Sequence, residues 1–197
     1  MSAEKIGAVN TVLNNNGKLI GYNTDYYGAV ESLKEKLNSK GKKVLVIGAG
    51  GAARAVIYGL KKEGAEIIII NRTGDKAKEL AENFKVSFDK FENIKSLARQ
   101  ADVIINTTSL GMTPFENGCA LEEDELPEGK IVMDVVYKPV ITKLIKLAQK
   151  KKCRTITGDR MLIYQAVRQF ELWTKINPGF ENMEKELAKE INKNKKQ

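Results

Sequence analysis

The sequence predicts an α/β protein with a parallel sheet between two layers of helices and an incomplete second lobe, on three observations. From Lys43 onward, short apolar runs alternate with amphipathic helical patterns, the rhythm of strands buried on both faces by crossover helices. A glycine-rich turn, Gly48-Ala49-Gly50-Gly51-Ala52, joins one apolar run to a helical pattern. Asn71-Arg72-Thr73 closes the next apolar run, at the edge where a parallel sheet presents its ligand-binding loops.

The elements follow in order. Residues 6–13 and 18–22 flank Asn14-Asn15-Asn16-Gly17, a turn sequence that predicts a β-hairpin. Thr24 or Asp25 caps a helix in which Tyr27, Val30, Leu33 and Leu37 recur at helical spacing, and Asn38-Ser39-Lys40-Gly41 ends it. Strands are then expected at 43–47, 66–70, near 85–87, 102–106, 130–134 and 153–156, with helices at 51–62, 75–83, near 91–98 and 140–150. The stretch from Gly111 to Gly129 contains Pro114, Gly118 and Pro127 and reads as loop, with a brief turn at the acidic segment 121–126. Leu162, Ala166, Phe170 and Trp173 mark a helix after Gly158, and Phe180, Met183, Leu187 and Ile191 another after Asn177-Pro178-Gly179. Residues 39–157 are therefore read as one domain, and 1–38 with 158–197 as the remnant of a second lobe. Tyr58 and Trp173 are assigned to packing.

With 197 residues, 42% of them hydrophobic, the chain can bury one substantial core and part of another. The formal charge of +8 is concentrated at 150–152 and after Ile191. With no basic groove interleaved by aromatics, it does not predict a nucleic-acid partner. Cys119 and Cys153 are isolated and histidine is absent, which argues against a disulfide framework or a metal site and removes His-based acid/base chemistry. No apolar run is long enough to cross a bilayer, and the expectation is a cytoplasmic protein without a membrane partner.

The strand, glycine turn and helix together form a Rossmann-like dinucleotide fingerprint. Gly48 permits the tight turn, Gly50 lets backbone meet a pyrophosphate, and Gly51 or Ala53 keeps the helix close to the strand. Amides at the helix start, at Ala49 to Ala52, hold the phosphates. An NAD site usually offers Asp or Glu to the adenosine ribose at the tip of the second strand; here Asn71, Arg72 and Thr73 stand there. A carboxylate would repel a 2′-phosphate and Arg72 attracts it, so the expected cofactor is NADP. Asn106, Thr107, Thr108 and Ser109 follow a further strand and are placed near the nicotinamide half.

Taken in order, Gly7-Ala8-Val9-Asn10-Thr11, Gly21-Tyr22-Asn23-Thr24-Asp25, the Gly48 turn, Asn71-Arg72-Thr73, Asn106-Thr107-Thr108-Ser109 with Gly111-Met112, and Met161-Leu162 with Gln165 and Phe170-Glu171-Leu172-Trp173 resemble the shikimate dehydrogenase family over almost the whole chain. The resemblance covers only the later part of the usual enzyme. It implies reversible NADP-dependent hydride transfer between shikimate and 3-dehydroshikimate, on the route to chorismate and aromatic amino acids. By it, Asp25 is the catalytic-site carboxylate and Asn10, Asp25, Tyr137 and Gln165 bind substrate. Thr107, Thr108, Ser109, Met112 and Met161 lie by the cofactor. Physically, Asn10 and Gln165 offer amide hydrogen bonds to a polyol, and Asp25 can orient a hydroxyl; without the resemblance Asn10 reads as a strand-edge residue, Asp25 as a helix cap and Met161 as core filling.

Two residues depart from the family pattern. Arg160 replaces a glycine before Met-Leu, where it either crowds the cofactor end or turns outward, and Lys175 replaces the glycine that commonly follows Trp-Thr. The family's Ser-x-Ser anchor and catalytic lysine precede the Gly-Ala-Val-Asn-Thr segment, and residues 1–6 match neither. The expectation is therefore little or no turnover by this polypeptide alone, with self-association or a partner supplying the missing lobe; the alternative is an NADP-binding or sensing module.

Overall fold

The computed structural model describes residues 2–194. A short helix α1 (Ser2–Ile6) precedes the hairpin β1 (Thr11–Asn15) and β2 (Lys18–Tyr22), followed by α2 (Asp25–Lys34). The alternating unit comprises β3 (Lys43–Ile47), α3 (Gly51–Lys62), β4 (Glu66–Ile70), α4 (Gly74–Phe84), β5 (Ser87–Phe88), α5 (Ile94–Gln100), β6 (Val103–Asn106), β7 (Ile131–Asp134), α6 (Lys143–Lys150) and β8 (Arg154–Ile156). The long α7 (Gly158–Thr174) and α8 (Phe180–Asn194) close the chain.

The six strands β3 to β8 form one parallel sheet in the order β5-β4-β3-β6-β7-β8. Chain direction across the sheet reverses between β3 and β6, which makes their carboxyl ends the place where an open α/β sheet forms a crevice. Strand composition explains the register. The aliphatic runs Val44 to Ile47 and Ile67 to Ile70, β-branched except at Leu45, fill alternate faces, so Val44, Val46, Ile67 and Ile69 join α2, α3, α4 and Met161 in one core, while Leu45, Ile47 and Ile70 pack with α5 and α6 in the other. The expected parallel sheet with helices on both faces is present, and a two-stranded antiparallel sheet stands apart from it.

Local rules position the smaller lobe. Asn16 and Gly17 both adopt positive φ, 51° and 87°, the conformation a two-residue hairpin turn requires. The hairpin differs from the sequence expectation at its start: residues 2–6 are helical and β1 begins at Thr11, because Gly7, at φ 70°, turns the chain after α1. The cap of α2 also differs. Thr24 occupies the cap position without a side-chain bond, and it is the Asn23 Oδ1 that accepts from the amides of Asp25 and Tyr26.

Helix α2 lies between α3 and α7, and glycines make that possible. A Cβ on Gly28 would sit 2.5 Å from the Met161 carbonyl oxygen, and one on Gly59 2.9 Å from the Tyr26 carbonyl oxygen. Both contacts exclude any side chain, so the axes approach closely.

Lys175 ends α7 with φ 64°, a left-handed conformation that glycine adopts without cost. Lys175→Gly is expected to raise stability by about 0.5–1 kcal/mol, measured as a shifted urea midpoint with unchanged slope.

Candidate active site

At the carboxyl edge of the sheet, Gly48 has φ 116°, and a Cβ there would fall 2.5 Å from Thr107 Oγ1. Its amide donates to the Ile70 carbonyl at 2.8 Å, while Thr107 donates from both its amide and its hydroxyl to the Ile47 carbonyl. Gly48 is thus demanded by the protein's own packing. Gly50 and Gly51 are not, since a Cβ on either would meet nothing within 4 Å; open space above two glycines is what a close-approaching phosphate needs. The first turn of α3 has neither a side-chain cap nor an acidic residue, leaving its amides to face an anion. Ala53, wholly buried, takes the helix-packing role left open between it and Gly51.

The loop after β4 carries Asn71, Arg72 and Thr73. Asn71 Nδ2 donates to the Thr73 carbonyl at 2.9 Å, Thr73 is the cap residue of α4, and Arg72 is exposed. After β6, Thr108 donates its hydroxyl to Asn106 Oδ1 at 2.7 Å, and the Met112 amide donates to the Ser109 carbonyl at 3.1 Å. These side chains shape the loop as well as line the crevice edge.

Asn10, Asp25 and Gln165 meet. Asn10 Nδ2 lies 2.8 Å from Asp25 Oδ1 and 3.1 Å from Gln165 Oε1, bringing the hairpin start, the first turn of α2 and the middle of α7 together. Burial pushes the Asp25 pKa up, and the hydrogen bond from Asn10 pulls it partly back. Two contacts tie this cluster to the crevice. Arg54, in the first turn of α3, lies 3.4 Å from where a Cβ on Gly7 would be, and the backbone of Val135 and Val136 crowds Gly158 at the start of α7.

Other expected residues lie elsewhere. Met161 is buried in the core against Gly28 of α2, and Met112 is partly exposed in its loop. Tyr137 lines a groove of about 610 Å³ with Asp159, Leu162 and Leu187 and forms no hydrogen bond with Asn10, Asp25 or Gln165 among the described residues. Arg160 turns outward, binding Glu35 and Glu184 and stacking 4.2 Å over the Phe180 ring. Beside it, burial and Glu35 push the Tyr164 hydroxyl pKa up to about 12.

Asp134 is a site-building residue that the sequence reading missed. Fully buried at the end of β7, it accepts from Asn106 Nδ2 at 3.0 Å, the Val136 amide at 3.1 Å and Thr142 Oγ1 at 2.6 Å. It thereby locks the loops after β6 and β7 to the cap of α6. Its signal was an acid closing the otherwise apolar Ile131-Val132-Met133.

Among the described residues no cluster could hold a metal ion and no helix is long and apolar enough to cross a membrane. Parallel sheet, glycine turn and amide–carboxylate cluster together define a dinucleotide-binding protein of the oxidoreductase class. Residues 31–135 match the family model for shikimate / quinate 5-dehydrogenase, and residues 160–188 the model for the shikimate 5′-dehydrogenase C-terminal domain. A shikimate dehydrogenase (NADP(+)) of Methanosarcina acetivorans is 42% identical over 198 residues, covering 96% of this chain and 71% of that protein. The shikimate 5-dehydrogenase of Thermus thermophilus, in complex with NADP(H) and shikimate, superposes with a TM-score of 0.85 at 38% identity, over 93% of this chain and 68% of that one. The quinate dehydrogenase of Corynebacterium glutamicum, in complex with NAD, gives 0.88 at 33%, over 95% and 70%. This chain belongs to the shikimate dehydrogenase family.

Asp134→Ala leaves three buried donors unpaired and is expected to cost about 3 kcal/mol. Burial raises the Asp134 pKa above its ordinary 3.8, so the folded state binds that proton more tightly than the unfolded chain. Stability therefore falls as pH rises from about 4 through the folded pKa, and Asp25 contributes with the same sign. Asp134→Asn retains the Oδ1 acceptor and is expected to flatten this decline in urea melts recorded across that range.

Proposed function

We propose that this chain binds NADP across the carboxyl ends of β3, β4 and β6 and uses the Asn10, Asp25 and Gln165 cluster to hold a hydroxylated ring, for reversible hydride transfer between shikimate and 3-dehydroshikimate. The observation that carries the reading is the meeting of those three side chains from three separate elements. The resident cofactor supplies or accepts the hydride. The amides from Ala49 to Ala52 hold its pyrophosphate, Arg72 with Asn71 and Thr73 its 2′-phosphate, and Thr107, Thr108, Ser109 and Met112 border the rest, while Met161 packs behind them in the core.

Residues 39–157 serve as the nucleotide domain, and 1–38 with 158–197 as one wall of the substrate cleft. Asp25 accepts a hydrogen bond from a substrate hydroxyl and Asn10 steadies the carboxylate, while Tyr137, which lines a separate groove, would have to turn from it to approach the substrate. The protein is accordingly expected to bind NADP and to interconvert shikimate and 3-dehydroshikimate. Steady-state assay of the purified protein alongside an NADP titration decides this: absence of shikimate-dependent reduction of NADP removes the hydride-transfer reading, and absence of NADP binding removes the cofactor assignment.

Arg72→Ala should weaken NADP by about tenfold or more, the scale of a lost charge-assisted hydrogen bond, and leave NAD little changed; equal losses in calorimetric titrations would remove Arg72 from the 2′-phosphate site. Shikimate affinity should fall as pH drops through the raised Asp25 pKa, since only the carboxylate is acceptor-only. In Asp25→Asn the affinity should be lower and independent of pH over that window.

A further inference from the structure

Successive residues of the hairpin start dock on successive turns of α7. Asn10 meets Gln165 at 3.1 Å, Thr11 Oγ1 meets Gln169 Nε2 at 3.1 Å, and Trp173 Nε1 donates to the Val12 carbonyl at 3.1 Å. The first contact belongs to the substrate cluster and the last clamps the hairpin. We propose that the middle pair, Gln169 and Thr11, are positioning residues that hold Asn10 in the orientation on which the hydrogen-bond polarity of the substrate cleft depends. What the cleft holds rests on the function proposed above; the relay itself does not.

The polarity follows from one obligate donor. The Thr24 backbone amide can only donate, so the Asn10 atom 2.9 Å from it is Oδ1 and the side-chain orientation is fixed. Thr11 Oγ1 lies 2.8 Å from the same oxygen and commits its single proton there. Thr11 can then only accept from Gln169, which must present its amide nitrogen. On the opposite side, Asn10 Nδ2 faces Asp25 Oδ1, Gln165 Oε1 and Thr24 Oγ1, all as acceptors that share its two hydrogens. Gln165 thereby turns its carbonyl toward Asn10 and keeps its nitrogen for a ligand, while Asp25 keeps Oδ2 as an acceptor. A donor amide beside an acceptor carboxylate suits neighbouring hydroxyls on one ligand, one accepting and one donating.

Thr11 is only 2% exposed, so water offers its hydroxyl little alternative. If its proton were turned to residue 169, Asn10 Oδ1 would keep the Thr24 amide but lose a donor, its side chain would be held less firmly, and each downstream bond would be weakened. The hydroxyl carries this role and the methyl does not, which separates it from packing.

Thr11→Val keeps the shape and removes the hydroxyl, Thr11→Ser keeps the hydroxyl and removes the methyl, and Gln169→Glu puts an acceptor where a donor stood. The first measurement is the side-chain amide resonances of Asn10 and Gln165 in ligand-free protein, with circular dichroism to establish that each variant is folded. T11V and Q169E are expected to displace both amide pairs, and T11S to leave them at wild-type positions. The second is a shikimate titration in the presence of NADP, where T11V and Q169E should weaken binding about tenfold and T11S should not. Unmoved amide pairs in folded T11V and Q169E, or T11S disturbing them as much as T11V, overturn the relay. If wild-type protein fails to bind shikimate, the functional reading falls while the amide resonances still decide the relay.

Discussion

Everything at the site depends on how closely β3 and β6 approach at their carboxyl ends. Pairing in register from Val44 with Val103 to Ile47 with Asn106 brings Thr107 against Gly48, and the Ile47 carbonyl receives both donors of Thr107. Any side chain at position 48 would collide with Thr107 and would also have to adopt positive φ. The turn is therefore set before any ligand arrives, and α3 starts with its amides aimed over the same crevice. A phosphate meets a preorganised surface, with little backbone ordering left to oppose binding.

The same economy of volume places the second half of the site. Gly28 and Gly59 seat α2 between α7 and α3, and Gly158 seats the first turn of α7 against the loop after β7. Asp25 at one end of α2 and Gln165 in α7 are thus fixed relative to the sheet by backbone contacts. Asp134 holds the facing loops by a different means, a buried carboxylate with three donors. Its raised pKa records what burial costs, and the return is a common anchor for Asn106, Val136 and Thr142.

Much of this was legible in the sequence because local rules and tertiary context agreed. The isoleucine run 67–70, the glycine turn and the alternation after Lys43 each have one good structural solution, and strands β3 and β4 and helix α3 fall where periodicity puts them. Short or shared signals were less informative. Residues 6–10 look strand-like by composition, but Gly7 turns the chain and α1 takes Ile6 into the core. Thr24 and Asp25 look like caps, yet the Asn23 side chain captures the two amides, because Thr24 and Asp25 are engaged by Asn10. That engagement spans fourteen and fifteen residues, and its extension to Gln165 spans 155, so no local pattern could reveal it. Asp134 was overlooked for a related reason: its partners are Val136 and Thr142 in the segment after β7 and Asn106 at the end of β6, 28 residues away.

The distribution of the arginines shows why charge alone could not have located the cofactor site in a chain of net charge +8. Arg160, a departure from the family pattern beside the cleft, is held by Glu35 and Glu184 and stacked on Phe180, so its charge is neutralised away from the crevice. Arg54 leans toward Glu79 at 3.8 Å, and Arg168 binds Glu171 at 2.8 Å. Arg72 differs in being exposed at the tip of β4 beside the glycine turn, with no ion pair among the described residues. An unpaired guanidinium on the loop after β4, the strand that neighbours β3 and its glycine turn, makes that edge of the sheet attractive to an anion, and its planar fork matches a phosphate. Electrostatics around the crevice thus acts partly by subtraction: acidic partners offset Arg54, Arg160 and Arg168, while Arg72 keeps its charge at the edge where the proposed 2′-phosphate site lies.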